Sequence, residues 1–148
     1  MKNRIILGIA VLSIFMVTVF LIKPKIEKEV CLLYNEKELA KLLEEDYPSH
    51  VMIDLREKKD YEEGHIKGFI NIPSKDGVEV LEYLNKNNLQ NKYIYIMCYS
   101  GNRAAAAISL LQDKNYQHLI YITFGYDEFV NSQDGFVPEV GECDCLAK

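Results

Sequence analysis

The 148-residue sequence has no tryptophan, only 4 prolines, 8 glycines and 4 cysteines. So little glycine and proline excludes a collagen-like or low-complexity chain. Four cysteines are too few for a small domain held together mainly by disulfides. The net charge of −5 argues against a nucleic-acid-binding protein, which would need a basic surface to neutralise phosphates. The 49% apolar and 26% charged residues instead predict one folded domain with a hydrophobic core, with or without an appendage.

The N-terminal segment has the features of a membrane anchor. Residues 5–22 carry no charge, and a helix of that length would span about 27 Å, close to the hydrocarbon thickness of a bilayer. A cleaved signal peptide and a buried core helix are the alternatives. No small-residue cleavage site follows the apolar run, and the residues before Cys31 do not suit lipid attachment. We therefore expect an uncleaved anchor in residues 1–23, followed by a charged linker in residues 24–29.

The orientation of this anchor is inferred from the residues that flank the apolar run. Basic residues flank the apolar run on both sides, so the positive-inside rule hardly discriminates. A short basic head followed at once by an apolar run favours a head that stays in the cytoplasm. The expectation is a single-pass membrane protein that contacts the lipid bilayer through residues 5–22, with its domain on the extracytoplasmic side. Secretion after signal cleavage is the alternative.

The rest of the chain is acidic and poor in arginine. Beyond residue 23, 14 basic residues face 22 acidic ones, which gives a net charge of −8. Only two of the 14 are arginines, Arg56 and Arg103. Because arginine is the side chain best suited to contact anions with two hydrogen bonds, the position of each one is informative. The acidic balance also disfavours binding of anionic lipid headgroups by the domain surface.

Strand-like and helix-like segments alternate after residue 29, which is typical of an α/β domain. Strands are predicted at 30–33, 51–54, 93–97 and 119–124, with an extended crossing at 68–73. Helices are predicted after a cap at Asn35, at 58–63, across 78–84, at 104–114 and near 127–131. There is no internal repeat and no sign of a second domain, and the residues after Gly135 are predicted to form a loop.

Apolar spacing predicts which helix faces are buried. Val78, Leu81 and Leu84 are expected to share one face of the third helix. The fourth helix has a longer apolar stripe, formed by Ala104, Ala107, Ile108 and Leu111. His50 and His118 are expected to be surface residues at loop positions.

A chemically distinctive turn lies between the clearest strand and the clearest helix. It reads Cys98-Tyr99-Ser100-Gly101-Asn102-Arg103. Cys98 is thereby placed at the carboxyl end of a strand, where ligands bind in open α/β sheets. The turn then enters a helix N-terminus, whose free N–H groups and dipole favour an anion, including a thiolate.

Two other residues of this turn support a functional interpretation. Gly101 lets the loop close tightly, and Arg103 adds positive charge. The alternative is that Cys98 is only a small buried apolar residue at the end of a strand. The combination with a glycine and one of the two scarce arginines favours a nucleophile that can hold a persulfide.

Two separate motifs resemble rhodanese-like sulfurtransferase domains. The Cys-x-x-Gly-x-Arg turn is similar to the active-site loop of that family. Asp54-Leu55-Arg56, followed by residues 61–73, is similar to its Asp-x-Arg … Gly-His-Ile-x-Gly-Ala-x-Asn-Ile-Pro signature, with Phe69 where alanine is commoner. The resemblance covers about residues 30–138 and implies the family's open, mainly parallel sheet flanked by helices. Residues 139–148 would form a cysteine-containing tail.

The resemblance implies a specific chemistry. Cys98 would accept a sulfane sulfur as a persulfide and pass it to a thiol or cyanide, as in a thiosulfate sulfurtransferase. Arg103 would draw in a small anionic sulfur donor such as thiosulfate or polysulfide. No metal and no organic cofactor are expected. The backbone cradle around the sulfur would be formed by Tyr99, Ser100, Gly101, Asn102 and Arg103.

The length of the turn separates this chemistry from phosphate chemistry. The related dual-specificity phosphatases have one more residue between the cysteine and the arginine, which makes room for a phosphate. Here four residues separate Cys98 from Arg103, and Met97 stands where those enzymes have histidine. The tighter turn matches the sulfur-handling branch. The family's Gly-Gly pair and Trp after the last strand are replaced by Phe124-Gly125 and a later phenylalanine.

The remaining motif residues are interpreted as structural. An Asp-x-Arg at a strand end most simply forms a hydrogen-bonded brace. The histidine of the Gly-His-Ile segment more often orients a turn than transfers a proton. We therefore expect structural roles for Asp54, Arg56, His65, Asn71 and Pro73.

Two further functions stay open. One is a non-catalytic rhodanese-fold module that binds a partner, with Cys98 idle. The other is a thiol redox protein, in which Cys98 exchanges disulfides with Cys143 and Cys145 of the tail. These two cysteines could also pair with each other or with Cys31, resolve a persulfide on Cys98, or be incidental. A metal site is disfavoured because a lone Cys-x-Cys lacks a second ligand pair.

Overall fold

The computed structural model describes residues 30–45, 48–114 and 116–142. The anchor predicted at residues 5–22 and the tail cysteines Cys143 and Cys145 lie outside these residues. Among the residues that the structure describes, no helix is long and apolar enough to cross a membrane.

The described part of the chain contains one five-stranded sheet in which every strand pair is parallel. The strand order is β1-β5-β4-β2-β3. The strands are β1 (Val30–Leu33), β2 (His50–Asp54), β3 (Phe69–Asn71), β4 (Tyr93–Met97) and β5 (His118–Ile122). The α/β class and the parallel sheet are therefore confirmed. The strands predicted at 30–33 and 93–97 match to the residue.

Within the described ranges, five helices connect and cover these strands. They are α1 (Glu36–Leu43), α2 (Lys58–Glu63), α3 (Val78–Lys86), α4 (Asn102–Gln112) and α5 (Tyr126–Ser132). Asn35 caps α1 as predicted, because its side chain accepts a hydrogen bond from the backbone N–H of Lys37 at 2.9 Å. The helix predicted at 58–63 also matches to the residue.

The sheet has a hydrophobic core on each face, as expected of a parallel sheet covered by helices on both sides. Alternate residues of β4 point to opposite faces. Ile94 and Ile96 pack in the core beneath α3 and α4, and Tyr95 and Met97 pack in the core beneath α1 and α5. The predicted stripe of α4 is confirmed, because its four apolar residues are all buried against the sheet.

The buried face of α3 differs from the prediction. Val80 and Leu84 are fully buried, whereas Val78 is 43% exposed. The reason lies at the preceding residue, Gly77, which has φ +92°. A Cβ there would lie 2.5 Å from the Cα of Ala107, so α3 starts pressed against α4. The close contact sets the phase of the helix and turns Val80 inward.

The two histidines expected in loops are the first residues of strands instead. His50 begins β2 and His118 begins β5, and both are half-buried. The register places Tyr93, the first residue of β4, between them. The Tyr93 ring lies 4.3 Å from the His118 ring in a stacked arrangement and 5.2 Å from the His50 ring. Parallel strands that start level bring these rings side by side, which the local sequence does not indicate.

The geometry of α3 gives a testable prediction. Val80→Ala should lower the free energy of unfolding by about 2 kcal/mol, because it removes two buried methyl groups and leaves a cavity. Val78→Ala, the same change on the exposed side of the helix, should shift it by less than about 0.5 kcal/mol. Urea unfolding followed by tyrosine fluorescence measures both, since all 10 tyrosines lie after residue 33. Equal losses would contradict the assigned helix face.

Candidate active site

Cys98 lies at the carboxyl end of β4, in the middle of the sheet. Its side chain is 1% exposed. The ends of β2 and β5 lie on either side of it because both strands pair with β4. The backbone carbonyl of Cys98 accepts a hydrogen bond at 3.1 Å from the N–H of Tyr126, the first residue of α5. The thiol is therefore held at the carboxyl end of the central strand by the elements around it.

The turn after Cys98 leads directly into α4. Gly101 has φ +81°, and a Cβ there would lie 2.8 Å from the carbonyl oxygen of Thr123. The first helical hydrogen bond runs from the N–H of Ala105 to the carbonyl of Gly101 at 2.8 Å. The N–H groups of the first helical turn, which begins at Asn102, have no partner within the helix. This arrangement suits a negatively charged sulfur near Cys98.

A second close approach fixes the turn from the side of β5. A Cβ on Gly125 would lie 1.4 Å from the carbonyl oxygen of Tyr99 and 3.0 Å from the backbone nitrogen of Ser100. Only glycine lets the segment after β5 contact the turn this closely. Sequence reasoning noted Gly125 as half of an incomplete Gly-Gly pair but did not assign it this role. The signal that would have identified it is the position of the glycine directly after the last strand.

Tyr121 of β5 is a neighbour of Cys98 that sequence reasoning missed. Its hydroxyl would lie 3.0 Å from a Cβ placed on Gly101, so it borders the turn. Burial raises the pKa of Tyr121, and the nearby Cys98 and Tyr34 raise it further. Tyr121 thus presents an uncharged phenol to the site at neutral pH.

The Asp54–Arg56 brace predicted from the sequence is confirmed. Nε and Nη2 of Arg56 each lie 2.8 Å from Oδ2 of Asp54, and the backbone N–H of Arg56 donates to Oδ1 at 2.9 Å. Nη2 also donates to the carbonyl of Gly64 at 2.8 Å. Both side chains are buried. Burial alone would lower the pKa of Arg56, but the hydrogen bonds and charge of Asp54 raise it, so the guanidinium stays charged.

The same guanidinium connects the brace to the active-site turn. The Cζ atom of Arg56 lies 3.6 Å from the ring centroid of Tyr126 and 5.5 Å from that of Tyr99. A cation over an aromatic face is attracted to the ring electrons. Arg56 therefore supports the turn through the rings of Tyr99 and Tyr126. Because it is buried, it is not itself exposed to a substrate.

Two other motif residues also make hydrogen bonds to the backbone. Nδ2 of Asn71 donates to the carbonyls of Asp54 and Arg56 at 3.1 and 2.9 Å. His65 is 1% exposed, and its Nδ1 lies 3.0 Å from the carbonyl of Tyr61. Because a carbonyl can only accept, Nδ1 carries the proton. These contacts support the structural interpretation of both residues.

Pro73 lies beside α2. It is exposed and lines a pocket of about 320 Å³ beside α2, together with residues that include Lys58, Glu62 and Glu142. The residues after α5 run past this helix, where the backbone of Glu139 exchanges hydrogen bonds with that of His65 at 2.8 and 2.9 Å. The loop predicted after Gly135 thus includes one isolated bridge to His65.

The structure brings Arg103 to the same edge as Cys98, but its guanidinium is already paired. Nη1 donates to the carbonyl of Leu55 at 3.1 Å and to Oε1 of Glu57 at 3.2 Å. Leu55 is itself bonded to β4, since its N–H donates to the carbonyl of Met97 at 2.9 Å. Sequence reasoning missed Glu57, because it lies 46 positions before Arg103 and only the parallel sheet brings them together.

Comparison with known proteins agrees with this fold. The family model of the rhodanese-like domain matches residues 35–132, more than half of the chain. The chain therefore belongs to the rhodanese-like domain family. The turn from Cys98 to Arg103 and the Asp54–Arg56 brace both lie within the matched residues.

Individual relatives are distant. A Bacillus subtilis protein described as a sulfur carrier, YrkF, is 28% identical over 83 residues, which cover 56% of this chain and 43% of that protein. The chain thus spans less than half the length of that relative. The crystal structure of SSP1007 from Staphylococcus saprophyticus is 25% identical with a TM-score of 0.55, and the match covers 68% of this chain and 93% of that one.

A rhodanese-like domain protein from Staphylococcus aureus has the same fold. Its crystal structure superposes with a TM-score of 0.59 at 23% identity, and the match covers 76% of this chain and all of that chain. At this level of identity the similarity shows the fold and not the activity.

The buried brace yields a second testable prediction. Arg56→Met should lower the free energy of unfolding by about 3–5 kcal/mol, because it leaves the buried Asp54 carboxylate without its partner. Lys59→Met removes a cation from an exposed pair, in which Nζ lies 3.7 Å from Glu63, and should leave the urea midpoint nearly unchanged. Equal shifts in the two variants would contradict the cost expected for leaving the buried Asp54 carboxylate unpaired.

Proposed function

We propose that this chain is a sulfurtransferase that carries a sulfane sulfur as a persulfide on Cys98. The observation that carries the proposal is the position of Cys98 at the carboxyl end of β4, one tight turn before the N-terminus of α4. A persulfide formed there would lie near the N–H groups of the first helical turn. Membership of the rhodanese-like family and the similarity to a protein described as a sulfur carrier support this proposal.

The proposed reaction has two steps. In the first, the Cys98 thiolate attacks the outer sulfur of a donor such as thiosulfate or a polysulfide. A new S–S bond forms to Cys98, the S–S bond of the donor breaks, and its electron pair leaves with sulfite when thiosulfate is the donor. In the second step, a thiol or cyanide attacks the outer sulfur of the persulfide and releases the Cys98 thiolate. The covalent intermediate divides one transfer into two simpler displacements.

The burial of the thiol restricts the shape of the donor. Because Cys98 is 1% exposed, the reacting sulfur must be at the end of a narrow group that reaches past the turn. Tyr99 and Ser100 are exposed and form the outer side of the turn. A small sulfur-containing donor and a thiol acceptor fit this geometry better than a bulky substrate does.

The N-terminal sequence supports a proposal about the cellular context of the reaction. The apolar run at residues 5–22 would hold the chain in a membrane as a single-pass protein, with the domain on the extracytoplasmic side. Sulfur transfer would then take place next to the bilayer. Secretion after signal cleavage is the alternative outcome of a topology experiment.

Intact mass spectrometry tests the proposed intermediate. The full-length chain treated with thiosulfate or polysulfide should gain one sulfur atom, and cyanide should remove it. Cys98→Ser should not gain this sulfur, because the nucleophile is absent. Cys31→Ser is the matched control, since Cys31 is an exposed cysteine in β1, and it should load as the unchanged protein does.

Absence of any gain from all donors, in a folded protein, would overturn the enzyme proposal. A rhodanese-fold binding module would then be the better account. A gain that persists in Cys98→Ser and disappears in Cys31→Ser would assign the persulfide to Cys31 and contradict the role of Cys98.

The tail cysteines provide the test of the redox alternative. Serine substitution of both Cys143 and Cys145 should leave the rate of sulfur transfer to cyanide within about twofold, because the two displacements require only Cys98 and the turn. The rate of thiocyanate formation measures this. A loss of more than tenfold would instead place the tail in the reaction as a resolving thiol.

A further inference from the structure

Both arginines of the described residues are engaged with carboxylates. Arg56 is buried against Asp54. Arg103 is the arginine of the active-site turn, and its side chain is 32% exposed. Its Nη1 lies 3.2 Å from Oε1 of Glu57, whose side chain is 56% exposed. In a rhodanese-like turn this arginine would present positive charge to an anionic donor. Here the carboxylate of Glu57 offsets that charge.

Further carboxylates lie near the turn. Burial raises the pKa of Tyr99, and the negative charges of Asp60 and Asp127 raise it further, although Arg56 acts in the opposite direction. Glu128 lies in the first turn of α5, where its carboxylate accepts a hydrogen bond from the N–H of Gly125 at 3.1 Å. We call Glu57, Asp60, Asp127 and Glu128 the acidic rim.

The lysines of α2 do not offset this rim at the turn. Lys58 contacts Glu142 at 2.6 Å and Glu62 at 3.3 Å, and Lys59 contacts Glu63 at 3.7 Å. Each of these cations is thus matched by a carboxylate of its own. Charges a few Å apart interact well inside the screening length of about 8 Å at physiological salt.

The rim has different consequences for different sulfur donors. Thiosulfate carries two negative charges, so it meets twice the repulsion that a singly charged donor meets at the same distance. Once the charge of Arg103 is offset, only neutral backbone dipoles remain in the turn to attract the donor. An alkyl hydropersulfide carries at most one negative charge, and its carbon chain can lie against the ring of Tyr99, which is 40% exposed.

We propose that Glu57 is a specificity-determining residue that favours sulfane donors with at most one negative charge, such as an alkyl hydropersulfide, over dianionic thiosulfate. The inference rests on the proposed sulfurtransferase function and restricts the class of sulfur donor that the site would favour. Glu57 acts by pairing with Arg103, so it sets the charge that the incoming donor meets and takes no part in bond making.

The transfer from such a donor is balanced without a further reactant. The Cys98 thiolate attacks the terminal sulfur of R–S–SH, and a Cys98–S bond forms as the S–S bond of the donor breaks. The electron pair leaves on R–S⁻, and the proton stays on the transferred sulfur. The products are the Cys98 hydropersulfide and the alkyl thiolate, and no external oxidant or reductant is consumed.

The substitution Glu57→Gln isolates this effect. Glutamine keeps an oxygen that can accept from Arg103 but removes the negative charge. The fold should tolerate the change, since the Glu57 side chain is more than half exposed and makes no capping hydrogen bond to α2. Glu63→Gln is the matched control, because it removes the same charge from α2, the helix that follows Glu57, at a residue paired with Lys59.

The measurement is the second-order rate constant for loading Cys98 of the full-length chain, followed by rapid quench and intact mass. The donors are thiosulfate and 2-hydroxyethyl hydropersulfide, with Cys98→Ser as the background. The two donors differ in intrinsic reactivity, so the informative quantity is the ratio of their rate constants. In Glu57→Gln the thiosulfate-to-hydropersulfide ratio should rise about three- to tenfold, the size expected for one charge near a partly exposed site.

The outcomes separate the two levels of the argument. An unchanged ratio in Glu57→Gln, or the same rise in Glu63→Gln, overturns the role of Glu57 while sulfur loading of Cys98 stands. A rise that disappears at high ionic strength supports it, because salt screens the rim. If neither donor loads Cys98 in the unchanged chain, the proposed sulfurtransferase function itself fails.

Discussion

The buried ion pair between Asp54 and Arg56 is the interaction on which the site depends. It joins the end of β2 to the carbonyl of Gly64 after α2, and it places a charged guanidinium against the rings of Tyr99 and Tyr126. A buried charge pair contributes little net stability compared with apolar side chains, but loss of one partner is costly. Its value here is positional, because the turn that follows Cys98 lies on the aromatic rings that this cation supports.

The turn is shaped by close approaches as much as by attractive contacts. Gly101 faces the carbonyl of Thr123, and Gly125 faces the carbonyl of Tyr99, at distances that no Cβ could occupy. Two segments distant in sequence are thereby pressed together around one cysteine. Under the proposed function this turn would present backbone N–H groups to a sulfur on Cys98, while Glu57 lies 3.2 Å from Arg103 and offsets its positive charge. The backbone dipoles that would attract an anionic donor and the carboxylates that would repel it thus lie close together beside Cys98.

Much of this could be predicted from local sequence. The strand Tyr93–Met97 follows from an apolar run and the Asn35 cap from capping chemistry, and both signals act over a few residues. The helix Lys58–Glu63 ends at Gly64, which is also a local signal. The buried face of α3 could not be predicted in the same way. The contact between Gly77 and Ala107 sets the phase of that helix, and it joins residues 30 positions apart.

The sequence by itself therefore determined the alternation of strands and helices, the turn that begins at Cys98, and the Asp54–Arg56 brace, because each depends on neighbours along the chain. The tertiary structure alone decided which groups surround the cysteine. Parallel pairing of β2 with β4 and of β4 with β5 brings the ends of three strands to one edge, and with them Glu57, Tyr121 and Gly125. Such neighbours arise from strand order, which no local pattern encodes, and they set the charge and shape of the surroundings of Cys98.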